Sequence, residues 1–160
     1  MDLVRKLVII ILTWEARAVL ARHKPKIIAI TGSVGKTTSK DAIYAVVSEI
    51  AHVRKSEKSF NSELGVPLTI LGLENAWRDP LKWVINMVRG LVVIFGKSYP
   101  EWLVVEVGAD RPGDIRSIAK WLRPDIAVIT GVPEIPVHVE YFDSPEQLAR
   151  EKRSLAEYVK

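Results

Sequence analysis

The chain has 160 residues, 48% of them hydrophobic and 26% charged, which suits one globular domain and not a disordered segment. It has no cysteine, so disulfides, thiolate metal sites and cysteine nucleophiles are excluded, and a reducing cytoplasm is compatible. Its 23 basic and 19 acidic residues leave a net charge of +4; no Lys/Arg run forms a nucleic-acid arm, so a protein that handles phosphates is the simpler reading.

Residues 1–24 come first, and Asp2 to Arg22 reads as an N-terminal amphipathic helix leading into the domain. Its apolar run, Leu7 to Thr13, follows Arg5 and Lys6 and is shorter than the roughly 20 apolar residues a bilayer span requires. Glu15 and Arg17 interrupt it, and no small-residue cleavage site follows. One reading is a docking helix over an apolar face. The other is a membrane-surface helix, favoured by Trp14 and the flanking Arg5, Lys6, Arg17 and Arg22.

Lys26 to Thr31 is short, apolar and β-branched, as a buried parallel strand would be. Lys36 to Ile50 is a helical pattern with Ala42, Ile43, Val46, Val47 and Ile50 on one face. His52 to Lys55 is a second strand, Ser59 to Ser62 a loop, and Glu63 to Leu73 a helix with Pro67 near its start. Asp79-Pro80 opens a strongly apolar helix from Leu81 to Phe95, weakened at Gly90, whose simplest role is core or inter-domain packing. Trp102 to Gly108 is a strand, Asp114 to Trp121 a helix, and Ile126 to Thr130 another buried strand. Ser144-Pro145-Glu146-Gln147 opens the last helix, Leu148 to Lys160, with a serine cap and a capping-box glutamine.

The alternation β-α-β-α-α-β-α-β-α predicts an α/β fold: an open, mostly parallel sheet with helices on both faces, like that of P-loop nucleotide-binding proteins. No strand follows the last helix, so the sheet is expected to be incomplete, as in a fragment or a short gene product.

Thr31-Gly32-Ser33-Val34-Gly35-Lys36-Thr37-Thr38 is the segment with the clearest chemistry. Gly32 and Gly35 let the backbone turn so that successive amides face phosphate oxygens. The following helix N-terminus favours an anion. Lys36 would reach the terminal phosphates, and the Thr37 hydroxyl would ligate Mg²⁺. Only Ser33 and Val34 separate the two glycines, fewer than in the common phosphate loop. Glu106 ends a predicted buried strand, where open α/β sheets place ligands, and its carboxylate can complete a Mg²⁺ shell opposite Thr37. A plain structural alternative pairs it with Arg111. Asn61 and Ser62 also read as turn and cap residues, His138 as a solvated or structural histidine, and Lys152 as a solvated lysine among Arg150, Glu151 and Arg153.

The short-spaced loop resembles that of the Mur ligase superfamily. Ser59-Phe60-Asn61-Ser62-Glu63-Leu64-Gly65-Val66-Pro67 resembles the family's next signature, and Val105 to Ile115 a third. Their form is most similar to the branch that adds D-alanyl-D-alanine to the muramoyl peptide (the MurF type), and the resemblance covers roughly residues 25–157. It implies that residues 25–160 are a partial ATP-binding domain. It also implies that Gly32, Ser33, Val34, Gly35, Lys36, Thr37, Thr38 and Asn61 bind ATP. Thr37, Glu106, His138 and Lys152 would hold Mg²⁺, with Lys36, Lys152 and His138 in catalysis and Lys152 carbamylated. The family more often has Asn at the position of Ser62, and about two fewer residues before its histidine.

The implied function is an ATP- and Mg²⁺-dependent, amide-forming ligase of peptidoglycan precursor synthesis. Its carboxylate substrate would be activated as an acyl phosphate. The partners implied are ATP, a nucleotide-sugar peptide and a D-Ala-D-Ala-like amine, with the family's remaining domains or a partner chain completing the reaction. The location implied is the cytoplasm, or the inner membrane surface if residues 2–22 lie on lipid. Two other readings are a different P-loop ATPase or synthetase and a non-catalytic, membrane-associated nucleotide-binding protein.

Overall fold

A computed structural model of the chain describes residues 3–57, 60–131 and 142–160. In chain order the elements are α1 (Leu3–His23), β1 (Lys26–Thr31), α2 (Lys36–Ser48), β2 (Val53–Lys55), α3 (Gly65–Leu71), α4 (Pro80–Phe95), β3 (Trp102–Glu106), α5 (Asp114–Leu122), β4 (Ile126–Ile129) and α6 (Pro145–Arg153), then a 3₁₀ turn, Ala156–Tyr158. All strand pairs are parallel, in the order β2-β3-β1-β4. The register sets Ile30 beside Glu106 and Thr31 beside Ile129. The ends of β1 and β3 thus lie side by side although most of the chain's first half separates them.

Helices cover both faces of the sheet, unequally. On one face, among the described residues, only α2 packs, with Ile43 and Val47 over Ile28, Ile30 and Val104. On the other, Ile27, Ala29, Leu103 and Val105 join a larger apolar cluster. Val8, Leu12, Ala16 and Val19 of α1 enter it, as do Val66, Leu68, Ile70 and Leu71 of α3 and Ile115, Ile118 and Leu122 of α5. Burying aliphatic side chains at about 25 cal/mol per Å² of apolar surface makes this second face the main source of cohesion.

Local chemistry sets several boundaries. α1 ends where Lys24 turns left-handed at φ 50° ahead of Pro25, whose ring cannot continue a helix. The Asp79 side chain caps α4 by accepting from the Lys82 amide at 3.1 Å. Ser144 caps α6 by accepting from the Gln147 amide at 3.2 Å. The Gln147 side chain reaches back to accept from the Asp143 amide at 2.7 Å, a one-residue variant of the capping box.

Four expectations change. β4 is an edge strand with Ile126 and Ile129 exposed, not a buried one; only β1 flanks it among the described residues. α2 stops at Ser48, and Ala42, Val46 and Ile50 of its supposed apolar face are exposed, because among the described residues that side has no further layer to pack on. The last helix breaks at Arg153 into a 3₁₀ turn. In α4 the buried positions are Asn86, Gly90 and Ile94, and the apolar stripe faces outward, so that stripe does not form core.

Candidate nucleotide and metal site

The loop after β1 is shaped by two glycines with left-handed backbone, Gly32 at φ 150° and Gly35 at φ 82°. A side chain at Gly32 would run into the Thr130 hydroxyl, so glycine is required there for space as well as for conformation. Thr130 follows β4 and ties the loop down. Its Oγ1 donates to the carbonyls of Val34 at 2.7 Å and Thr31 at 3.1 Å. The next carbonyl, Gly131 O, accepts from the amides of Ser33 at 3.0 Å and Val34 at 3.2 Å.

Two of the amides that sequence reasoning gives to phosphate are therefore engaged by the end of β4. The first-turn amides of α2, at Lys36, Thr37 and Thr38, precede any carbonyl of their own helix and point out of its N-terminus. With the helix dipole they make this end of the helix suited to an anion. Thr31 Oγ1 and Ser33 Oγ are buried without a hydrogen-bond partner among the described residues. Such polar atoms suit a site that a polar ligand completes.

Two lysines meet at one loop oxygen. Lys36 Nζ donates to Gly32 O at 2.8 Å, and Lys152 Nζ donates to the same atom at 3.0 Å from α6. Lys152 is buried. Burial, and secondarily the Lys36 charge, depress its pKa to about 8 against the partial opposition of Glu151. Glu151 itself is turned away, its Oε1 accepting from the Ile115 amide at 2.8 Å at the start of α5. Lys152 is thus no solvated lysine on a charged face.

Glu106, at the end of β3, is buried and surrounded by donors. Its Oε2 accepts from the Thr37 hydroxyl at 3.1 Å, and its Oε1 accepts from the Asn61 amide at 3.3 Å. Lys40 Nζ, also buried, stands 4.0 Å from Oε2. The Glu106 amide donates to Ser56 Oγ at 2.9 Å, which fixes the backbone behind the carboxylate. Asn61 is held by its own carbonyl, which accepts from the Gly108 amide at 2.7 Å. Beyond it opens a polar cavity of about 670 Å³ lined by Ser62, Gly108, Asp110, Arg111 and, from α1, Arg5 and Lys6.

The structure brings Gly32, Gly35, Lys36, Thr37, Asn61, Glu106 and Lys152 to one end of the sheet. Val34 and Thr38 are exposed at its rim. His138 lies outside the described residues. Among the described residues no three His, Asp or Glu side chains gather into a ready-made metal cage. A single carboxylate beside a hydroxyl and a glycine loop is still a donor set suited to Mg²⁺, which takes one or two carboxylates and completes its shell with water and substrate phosphates.

Sequence reasoning missed Lys40, Ser56, Thr130 and Gly131. Lys40 had a signal: it follows Lys36 by four residues and shares its helix face. The other three reach the site through the fold alone.

Comparison with known proteins bears on the family and the fold. Residues 30–160 match the family model of the Mur ligase middle domain. The chain is 33% identical over 138 residues to the UDP-N-acetylmuramoyl-tripeptide–D-alanyl-D-alanine ligase of Bacillus subtilis, covering 86% of this chain and 24% of that protein. It is 33% identical over 133 residues to the ligase of the same name from Mycobacterium leprae, covering 83% and 21%. Among solved structures, MurF from Acinetobacter baumannii superposes with a TM-score of 0.70 at 23% identity, over 94% of this chain and 28% of that one. MurF ligase from Thermotoga maritima, in complex with ADP, gives 0.67 at 27% identity, over 96% and 30%. The chain spans about a quarter of the length of these relatives. On the family match and this fold, the chain belongs to the Mur ligases, through their middle domain.

Proposed function

We propose that this chain is the ATP- and Mg²⁺-binding module of an amide-forming ligase of peptidoglycan precursor synthesis, with residues 25–160 as the nucleotide domain. The observation that carries the reading is the Thr37–Glu106 contact at 3.1 Å. It sets a hydroxyl and a carboxylate of the kind that suits a divalent cation directly beside the glycine loop. The Thermotoga maritima relative was solved with ADP, and the relatives' names give a muramoyl tripeptide and D-alanyl-D-alanine as the substrates to be joined.

In the reaction proposed, the γ-phosphorus of ATP forms a bond to a substrate carboxylate oxygen as its bond to the bridging β,γ oxygen breaks, releasing ADP. The incoming amine then bonds to the acyl carbon, phosphate leaves and the amine gives up a proton. Bound Mg²⁺ would neutralise phosphate charge between Thr37 and Glu106. The protein's own part is positioning and electrostatics. The α2 amides hold the phosphates and Lys36 swings from Gly32 O to the transferring group. Asn61 fixes the Glu106 carboxylate. His138 is proposed as a further metal ligand on the family pattern alone.

Lys152 has a second role in this reading. With its pKa near 8, a large share of the amine is neutral at mildly basic pH. A neutral amine can bond to the carbon of CO₂ and lose a proton, giving a carbamate that could hold metal. Native mass spectrometry in bicarbonate should show a CO₂ adduct on the wild type and none on Lys152→Met.

Calorimetric titration with ATP and Mg²⁺ tests the assignment. Lys36→Ala should weaken binding about 10- to 100-fold, the range for losing a charge-assisted hydrogen bond. Equal affinity in the two proteins would sink it.

A further inference from the structure

The α1–α4 layer has apolar side chains where a soluble surface has polar ones. On α4, Leu81, Val84, Ile85, Val88, Leu91, Val92 and Phe95 are all 41–72% exposed. They recur at the spacing of a single helix face. On α1, packed beside it, Leu3, Leu7, Ile10 and Trp14 form a second stripe, 56–80% exposed. Eleven large apolar side chains on two adjacent helices make a patch of the kind that marks an interaction surface.

Charge identifies the occupant. Residues 3–24 and 77–97 contain nine Lys and Arg against two acids, Glu15 and Asp79. Glu15 is buried and Asp79 caps α4. The rest of the chain has 14 basic and 17 acidic residues, so positive charge is segregated onto this layer. On the helical repeat, Lys6 and Arg17 flank the α1 stripe and Lys82 and Arg89 flank the α4 stripe. A second copy seated face to face would oppose two sets of nine cations. A bilayer surface with anionic headgroups accepts the apolar stripes and the flanking cations together. Among the described residues no helix is long and apolar enough to cross a membrane, so the helices would lie in the interface, with Trp14 at headgroup level.

We propose that the α1–α4 face docks on the surface of a bilayer containing anionic lipid. Arg5 and Lys6 belong both to this layer and to the wall of the polar cavity beside Asn61. Docking therefore brings the candidate site close to the membrane.

Flotation of the full chain with phosphatidylcholine vesicles, with and without phosphatidylglycerol, tests this. The wild type should float with the anionic vesicles and be released by high salt. Val88→Asp/Val92→Asp and Lys82→Glu/Arg89→Glu should each weaken that binding about tenfold or more. These side chains face solvent, so circular dichroism should match the wild type; Val88→Ser/Val92→Ser, expected to bind less well than the wild type, serves if the aspartates disturb folding. Absence of flotation, or binding unchanged by the Val88/Val92 and Lys82/Arg89 variants, would overturn the proposal. So would a dimer in solution that Val88→Asp/Val92→Asp abolishes while vesicles stay unbound.

Discussion

Two buried carboxylates in this molecule are treated in opposite ways. Glu106 has Thr37, Asn61 and the Lys40 ammonium around its oxygens. Glu15, on the inner side of α1, has Oε2 without a partner among the described residues and lies against Gly90 of α4. Desolvation raises its pKa from 4.5 to about 7. The difference teaches what each location is for. The surroundings of Glu106 suit a charge and are polar enough to take a cation. Those of Glu15 suit a neutral acid enclosed between two helices whose outer sides are apolar.

The contrast breaks most sharply at Glu106. Replacing it with alanine takes the buried carboxylate away from Lys40, which keeps only the exposed Asp41 at 3.9 Å, and should destabilise the fold by about 3 kcal/mol in urea titration. Glu106→Gln keeps the shape and should fold, but Mg²⁺ should no longer strengthen ATP binding in a titration. Retained Mg²⁺ dependence in Glu106→Gln would separate this carboxylate from the metal.

Glu15 should behave in the reverse sense. An acid whose folded pKa stands above its unfolded one opposes folding once ionised. The opposition is absent below about pH 4.5, grows toward about pH 7 and is complete above that. Its full size is about 3 kcal/mol at 1.36 kcal/mol per unit. Glu15→Gln should therefore gain about that much over the wild type at pH 8 and little at pH 4. A pH-independent gain would point to packing, not charge.

Gly90→Ala is a smaller probe of the same place. A methyl group there meets the Glu15 carboxyl. Overpacking should outweigh the better helix propensity and leave a net loss of about 1 kcal/mol. The double change with Glu15→Ala should cost less than the sum of the single ones, and strict additivity would deny the contact. Smallest is Asp79→Ala, which removes the α4 cap and should cost about 1 kcal/mol or less by thermal melting, with no effect at the nucleotide site.

What could be read from the sequence was what neighbours along the chain decide. The Asp79-Pro80 and Ser144-Pro145 helix starts depend on local capping, the start of α2 at Lys36 on the glycine turn just before it, and the first strand on a short β-branched run. The family resemblance rested likewise on contiguous segments around Gly32, Asn61 and Glu106. What could not be read depends on partners far along the chain. The pattern of α4 announces an apolar face without saying which way it points. The composition of β4 suits a buried strand, yet its place at a sheet edge follows from strand order. Ser56, Thr130 and Gly131 are ordinary residues until the fold carries them to the loop and to Glu106.

The carbonyl of Gly32 is gripped by one lysine four residues ahead and by another 120 residues ahead. A ribosome delivers these two at very different moments. The strand and loop emerge early with Lys36 in hand, but Lys152 arrives only after every described strand has left the tunnel. Thr130 and Gly131, which pin the same loop, also come late. Domains fold as units during synthesis, so a growing chain cannot assemble this pocket until residue 152 has been made and has emerged from the tunnel. Nascent intermediates would carry the loop's sequence without its finished shape.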